Sequence, residues 1–142
     1  MFSSKKISPD LLEKLISLLW IDYFETNEGL ILINNPNGKV SIDKINGQDK
    51  TAIESLVNHI HLSDIFDVKL STDFVLIAKK VGDIWATKLK RDFPNHKFRI
   101  YLTCEDDIIL RFHQVHDGEP NWLNEFDWKE EISSGKIFIW NF

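Results

Sequence analysis

Residues 97–115 read KFRIYLTCEDDIILRFHQV. Apolar and polar residues alternate from Lys97 to Cys104, apolar Ile108, Leu110 and Phe112 recur at every second position of the run Ile108 to Val115, and the acidic triplet Glu105-Asp106-Asp107 lies between the two runs. A period of two is the mark of a strand with one buried face, so the stretch predicts a hairpin. Its register can be argued. A two-residue loop would set Ile100 against Arg111. A three-residue loop pairs Cys104 with Ile108, Leu102 with Leu110 and Ile100 with Phe112, which keeps one face apolar. A slip of one residue turns every side chain to the opposite face, so the hydrophobic pattern selects the longer loop. Phe112 is then expected to be buried and Arg111 not. The second face carries Arg99 opposite His113, Tyr101 opposite Arg111, and Thr103 beside Ile109.

Outward from the hairpin, Ser71 to Arg91 places Phe74, Ala78, Val81, Trp85 and Leu89 at helical spacing, which predicts a long helix. Gly82 inside it costs about 1 kcal/mol relative to alanine, and Val75-Leu76-Ile77 also reads as a buried strand. Phe93-Pro94-Asn95 closes the segment. Further upstream, Ser8-Pro9 opens a helix: the serine caps free N–H groups and the proline suits the first position. Leu11, Leu12, Leu15, Ile16, Leu19 and Trp20 give that helix a wide apolar stripe. Leu30 to Asn34 and Lys39 to Ile45 read as a hairpin around Asn35-Pro36-Asn37-Gly38. Asp49 caps a short helix carrying Ile53, Leu56, Val57 and Ile60, and Ser63 to Leu70 is ambiguous. Downstream, Asp117-Gly118 turns the chain, Pro120 to Ile132 reads as a short acidic helix ended by Ser133-Ser134-Gly135, and Lys136 to Phe142 is a last strand. Both faces of that strand are apolar, which predicts burial on two sides rather than an edge. The expectation is one α+β domain over residues 1–142, with antiparallel hairpins packed against helices in the order α-β-β-α-α-β-β-α-β.

Composition narrows the function. The chain has 142 residues, 43% of them hydrophobic, with five Trp and ten Phe; that suffices for a core without a metal or disulfide staple. A single cysteine, Cys104, rules out an internal disulfide. With a polar start and no long apolar segment, these features lead us to expect a cytoplasmic protein and no membrane partner. The net charge of −5 argues against a nucleic-acid partner, whose phosphates need cations. The charge is also segregated. Lys79, Lys80, Lys88, Lys90, Arg91, Lys97 and Arg99 form a basic block. Glu105, Asp106, Asp107, Asp117, Glu119, Glu125, Asp127, Glu130 and Glu131 form an acidic one.

Recognised chemistry is absent from the sequence. Placed on a helix, His59 and His61 would point about 200° apart, and His113 and His116 fall on opposite faces near a strand, so no metal is expected. Cys104 lies on the apolar face of its strand, where a thiol behaves as core. No phosphate-binding glycine loop, nucleophile elbow or other cofactor motif occurs, so no cofactor and no catalytic residue is assigned.

Two surfaces remain. Arg99, Tyr101, Arg111 and His113 share one strand face and could hold a carboxylate or phosphate as a small enzyme or anion-binding domain; the ordinary reading is a solvated polar sheet face. In the acidic helix, Trp122, Leu123 and Phe126 form the expected buried stripe, and Trp128 lies about 200° around from Phe126. A tryptophan among Asp117, Glu119, Glu125, Asp127, Glu130 and Glu131 would anchor a basic protein partner. In overall profile (small, acidic, Trp-rich, rich in Lys, Ile and Asn) the chain resembles bacterial immunity proteins. That resemblance implies a non-enzymatic protein that neutralises a cognate basic toxin.

Overall fold

The computed structural model describes residues 8–34, 48–66 and 72–142. Its elements run α1 (Pro9–Leu19), β1 (Tyr23–Glu25), β2 (Ile31–Ile33), α2 (Lys50–Val57), β3 (His59–His61), α3 (Leu62–Phe66), α4 (Thr72–Asp92), β4 (Phe98–Cys104), β5 (Ile108–Gln114), α5 (Lys129–Ser133) and β6 (Ile137–Asn141). The fold is α+β. β1 and β2 form a two-stranded antiparallel sheet, and the remaining strands form a four-stranded antiparallel sheet in the order β3-β5-β4-β6.

The β4–β5 hairpin has the register chosen by its hydrophobic pattern: Cys104 pairs with Ile108, Leu102 with Leu110, Ile100 with Phe112, Tyr101 with Arg111 and Arg99 with His113. Asp107 shapes the three-residue loop by accepting the Ile108 N–H at 2.7 Å. Phe98, Ile100, Leu102, Leu110 and Phe112 are fully buried on one face against Ala78, Val81, Trp85 and Leu89 of α4. Every third or fourth residue of α4 therefore meets the sheet, as the helical spacing requires. Trp85 also ties α1 to this core, its indole Nε1 donating to the Leu18 carbonyl at 2.8 Å. Cys104 belongs to the same core, and burial pushes its thiol pKa up.

Gly82 has a packing reason to interrupt α4. A Cβ there would lie 2.3 Å from the Trp140 ring. The indole of β6 crosses the helix at that point and donates to Asp83 at 2.8 Å.

Several expectations are corrected. The strand at Leu30–Asn34 pairs backward with Tyr23–Glu25, while its expected partner, Lys39–Ile45 with the Asn35–Gly38 turn, lies outside the described residues. Of the α1 stripe, Leu11, Leu12, Ile16 and Trp20 are exposed, and Leu18 is the buried residue. Asp49 caps α2 at Ala52 N–H, 2.7 Å away, but the buried face of that helix carries Thr51, Glu54 and Ser55, and Leu56 is exposed. The helix stops at Val57, and His59-Ile60-His61 pairs as a strand with Arg111, Leu110 and Ile109. Of the ambiguous Ser63–Leu70, residues up to Phe66 belong to α3 and the rest lies outside the described residues. Finally, β6 is an edge strand. Its two apolar faces arise because the sheet is covered on both sides: Trp140 and Phe138 lie on the α4 side, while Ile137 and Ile139 pack with Tyr101 and Leu123 in a second, smaller core. Among the described residues, no helix is long and apolar enough to cross a membrane.

Candidate functional site

The register of β4 and β5 brings Arg99, Tyr101, Arg111 and His113 onto one face, as expected, but that face is not open. Tyr101 and His113 are fully buried. His113 Nδ1 lies 2.7 Å from the Gln114 carbonyl oxygen. A carbonyl only accepts, so Nδ1 carries the hydrogen and Nε2 is the acceptor. Nε2 receives the Tyr101 hydroxyl at 2.9 Å and, more weakly, the Trp122 N–H at 3.4 Å. Burial lowers the His113 pKa and raises that of Tyr101, which keeps both neutral. Arg99 Nη1 donates to Glu125 at 2.8 Å. The Arg111 guanidinium lies 4.3 Å from the Trp122 ring centroid and donates through Nη1 to the Ser55 carbonyl. Its buried Nε has no hydrogen-bond partner among the described residues. An anion approaching these four groups would have to displace Glu125 and Trp122.

The cover is the segment read as an acidic helix. Helix forms only from Lys129. Upstream, Gly118 takes φ +78°, and Asn124 Oδ1 accepts the Phe126 and Asp127 N–H groups at 3.0 and 3.3 Å. A side chain that captures local N–H groups in this way competes with the helical pattern. The loop is fastened at several points. Glu119 Oε1 accepts both the Thr51 N–H and its hydroxyl, at 2.7 and 2.8 Å. His116 meets the fully buried Glu54 carboxylate. Glu125 holds Arg99, and Leu123 is buried beside Tyr101. Burial pushes the Glu119 pKa up, but the bonds from Thr51 outweigh it and the net shift is downward.

The seven residues assigned to partner binding therefore divide. Glu119 and Glu125 are engaged within the fold. Asp117, Asp127 and Glu130 are exposed and Glu131 is half-buried, and among the described residues none of these four side chains forms an ion pair. Trp128 is 42% exposed. Phe126, expected in the buried stripe, is 75% exposed. The helical reading put Phe126 inside, and the loop turns it out, with Lys129 Nζ 4.8 Å above its ring.

Sequence reasoning missed a third feature. A cleft of about 1020 Å³ opens between α1 and the β3–α3 segment, lined in part by Ser17, Ile21, Leu56, His59, His61 and Asp64. On a strand, residues two apart share a face, so His59 and His61 lie together, their ring centroids 5.2 Å apart and their planes at 72°. His59 Nδ1 meets the Leu56 carbonyl at 2.7 Å, and His61 Nδ1 meets Asp107 Oδ2 at 2.5 Å. Ser63 donates to the other oxygen of Asp107. The polar-apolar-polar triplet His59-Ile60-His61 was the available signal, but it is too short to outweigh the helical spacing before it. Among the described residues, no group of three or more His, Cys, Asp or Glu is arranged to hold a metal ion.

Set against known proteins, the chain matches no curated protein and no solved structure. A family model does match, over residues 1–139, and the chain belongs to that family, the Uncharacterized protein PM0498 family.

Proposed function

We propose that this member of the family is a non-enzymatic protein-binding module that takes a basic protein partner on the segment 117–131, the loop and the start of α5. The observation that carries this reading is the exposure of Phe126 and Trp128, at 75% and 42%, among the carboxylates of Asp117, Asp127, Glu130 and Glu131. The loop has its own buried anchor in Leu123 and its own ion pair through Glu125, so the two aromatics are not needed to hold it down. Large aromatics that lose their water on association are the usual energetic centre of an interface, and acidic groups around them steer a basic partner. An immunity role against a basic toxin is the most concrete form of this reading, and the compositional resemblance supports it. The anion-binding alternative at Arg99, Tyr101, Arg111 and His113 has weaker support, because the loop already satisfies most of those groups.

The test is affinity capture from the native host followed by association and dissociation kinetics. Phe126→Ala and Trp128→Ala should mainly speed dissociation, each costing about 2 kcal/mol or more. A joint Asp127→Lys and Glu130→Lys change should slow association, with the loss shrinking as salt rises. An acidic partner, or unchanged kinetics in all of these variants, would place the interface elsewhere.

A further inference from the structure

The geometry points to a divalent transition-metal site formed by the adjacent rings of His59 and His61 through their Nε2 atoms, open to water and able to take Zn2+, Ni2+ or Cu2+. Three observations combine. First, each ring has one nitrogen already committed. The Leu56 carbonyl and the Asp107 carboxylate are acceptors, so each Nδ1 carries a hydrogen, and in the neutral ring Nε2 is the nitrogen that keeps its lone pair. Neither Nε2 has a hydrogen-bond partner in the geometry of the described residues. A carbonyl or carboxylate behind the distal nitrogen is the outer support that metal-binding imidazoles use to fix tautomer and ring orientation. Asp107 is itself fixed by Ser63 and by the Ile108 N–H.

Second, the spacing fits one ion. A metal–nitrogen distance of about 2.0–2.1 Å puts an imidazole centroid about 3.2 Å from the metal, and a tetrahedral angle between two such rings separates their centroids by about 5.2 Å. The observed separation is 5.2 Å. Third, the pair is reachable. His61 is 39% exposed, and both rings line the cleft together with the carboxylate of Asp64. Arg111 pairs with His59 across β3 and β5 and opposes a cation, but Asp107 and Asp64 supply the compensating negative charge. Two imidazoles leave the other positions to water or to a donor from a bound molecule, the arrangement of an open rather than a closed site. Imidazole donors suit ions of the Ni–Cu–Zn group.

The experiment is titration calorimetry of untagged protein with Zn2+ and with Ni2+. Wild type should take up one ion per chain. His59→Gln and His61→Gln should each weaken binding at least about 10-fold, and Asp107→Asn should weaken it about 10–100-fold by loosening the His61 ring. His96→Gln, distant from the pair, should bind as wild type. Circular dichroism checks that each variant is folded. On wild type alone, substoichiometric Cu2+ should broaden the NMR ring signals of His59 and His61 first and leave those of His96 sharp, a readout that does not depend on any variant folding. No uptake by wild type, wild-type affinity in either His59→Gln or His61→Gln, or broadening of His96 before the pair would each overturn the assignment.

Discussion

Tyr101 donates its hydroxyl hydrogen bond to Nε2 of His113 at 2.9 Å, with both side chains completely shielded from solvent. They sit on adjacent strands at diagonal positions, Tyr101 opposite Arg111 and His113 opposite Arg99. On the far side of the pair, Trp122 packs edge-on against the Tyr101 ring at 5.2 Å. Tyr101→Phe keeps the ring and its burial but leaves Nε2 with only the 3.4 Å contact from Trp122 N–H. The expected loss is about 1–3 kcal/mol in urea melts, the cost of a buried acceptor left poorly paired. A loss indistinguishable from zero would mean that water reaches the site.

The same burial makes stability depend on pH. His113 has its pKa lowered in the fold, while in the unfolded chain it titrates at about 6.5. Above that value neither state is charged and the group is neutral in its effect. As pH falls below about 6.5, the unfolded chain takes up the proton first, so stability declines from there down through the folded pKa. The lowered carboxylates, Glu119, Asp107 and Asp92 (the last held down to about 2 by the Tyr23 hydroxyl), add their own losses only in more acid solution. Denaturation midpoints should thus fall between about pH 6.5 and 5, and the His113 ring signals should titrate below the usual histidine value. A His113 signal titrating at or above it would contradict the buried, neutral assignment.

Asn58 acts as a surrogate strand edge. Its Oδ1 accepts the Ile33 N–H and its Nδ2 donates to the Ile31 carbonyl, both at 2.8 Å, while Glu54 one turn earlier accepts the Ile31 N–H at 3.0 Å. Asn58→Ala strands one buried donor and one buried acceptor of β2. At about 1–3 kcal/mol for each unpaired group, the loss should exceed that of Leu56→Ala on the exposed side of the same helix. A smaller loss than Leu56→Ala would show that β2 finds other partners.

Gly82→Ala offers a test with opposed forces. Propensity favours alanine by about 1 kcal/mol inside a helix, yet the new Cβ would fall 2.3 Å from the Trp140 ring. We expect net destabilisation, together with loss of the Trp140–Asp83 hydrogen bond. In a Trp140→Leu background the same change should become neutral or stabilising. A stabilising Gly82→Ala in the native background would show that the indole moves aside at little cost.

Legibility in the sequence followed the strength of local periodicity. The β4–β5 hairpin could be placed to the residue, because a one-residue slip would have buried Arg111 in place of Phe112. α4 was legible from Ala78, Val81, Trp85 and Leu89, while Val75-Leu76-Ile77 also read as a strand until the structure placed it in the helix. By contrast β3 is three residues long and follows a helix directly, so His59-Ile60-His61 carried too little alternation to compete, and the pairing of its two rings went unseen. The loop 115–128 was read as a helix because Trp122, Leu123 and Phe126 have helical spacing; the Asn124 side chain, which takes the N–H groups of Phe126 and Asp127, decided otherwise.

By itself, the sequence determined the α+β class, the hairpin register, the buried apolar faces of that hairpin and of α4, and the segregation of acidic from basic residues. These follow from patterns within a few residues, where the side-chain period and the backbone period are locked together. Tertiary structure alone decided that Glu54 and Asn58 are buried to complete β2, that Glu119 and Glu125 are spent on Thr51 and Arg99, that Tyr101 and His113 lie beneath a loop, and that Phe126 and Trp128 do not. Each is a pairing between groups distant in sequence. A polar residue carries no local mark of the partner that will satisfy it, so its burial or exposure is fixed only once the chain has folded around it.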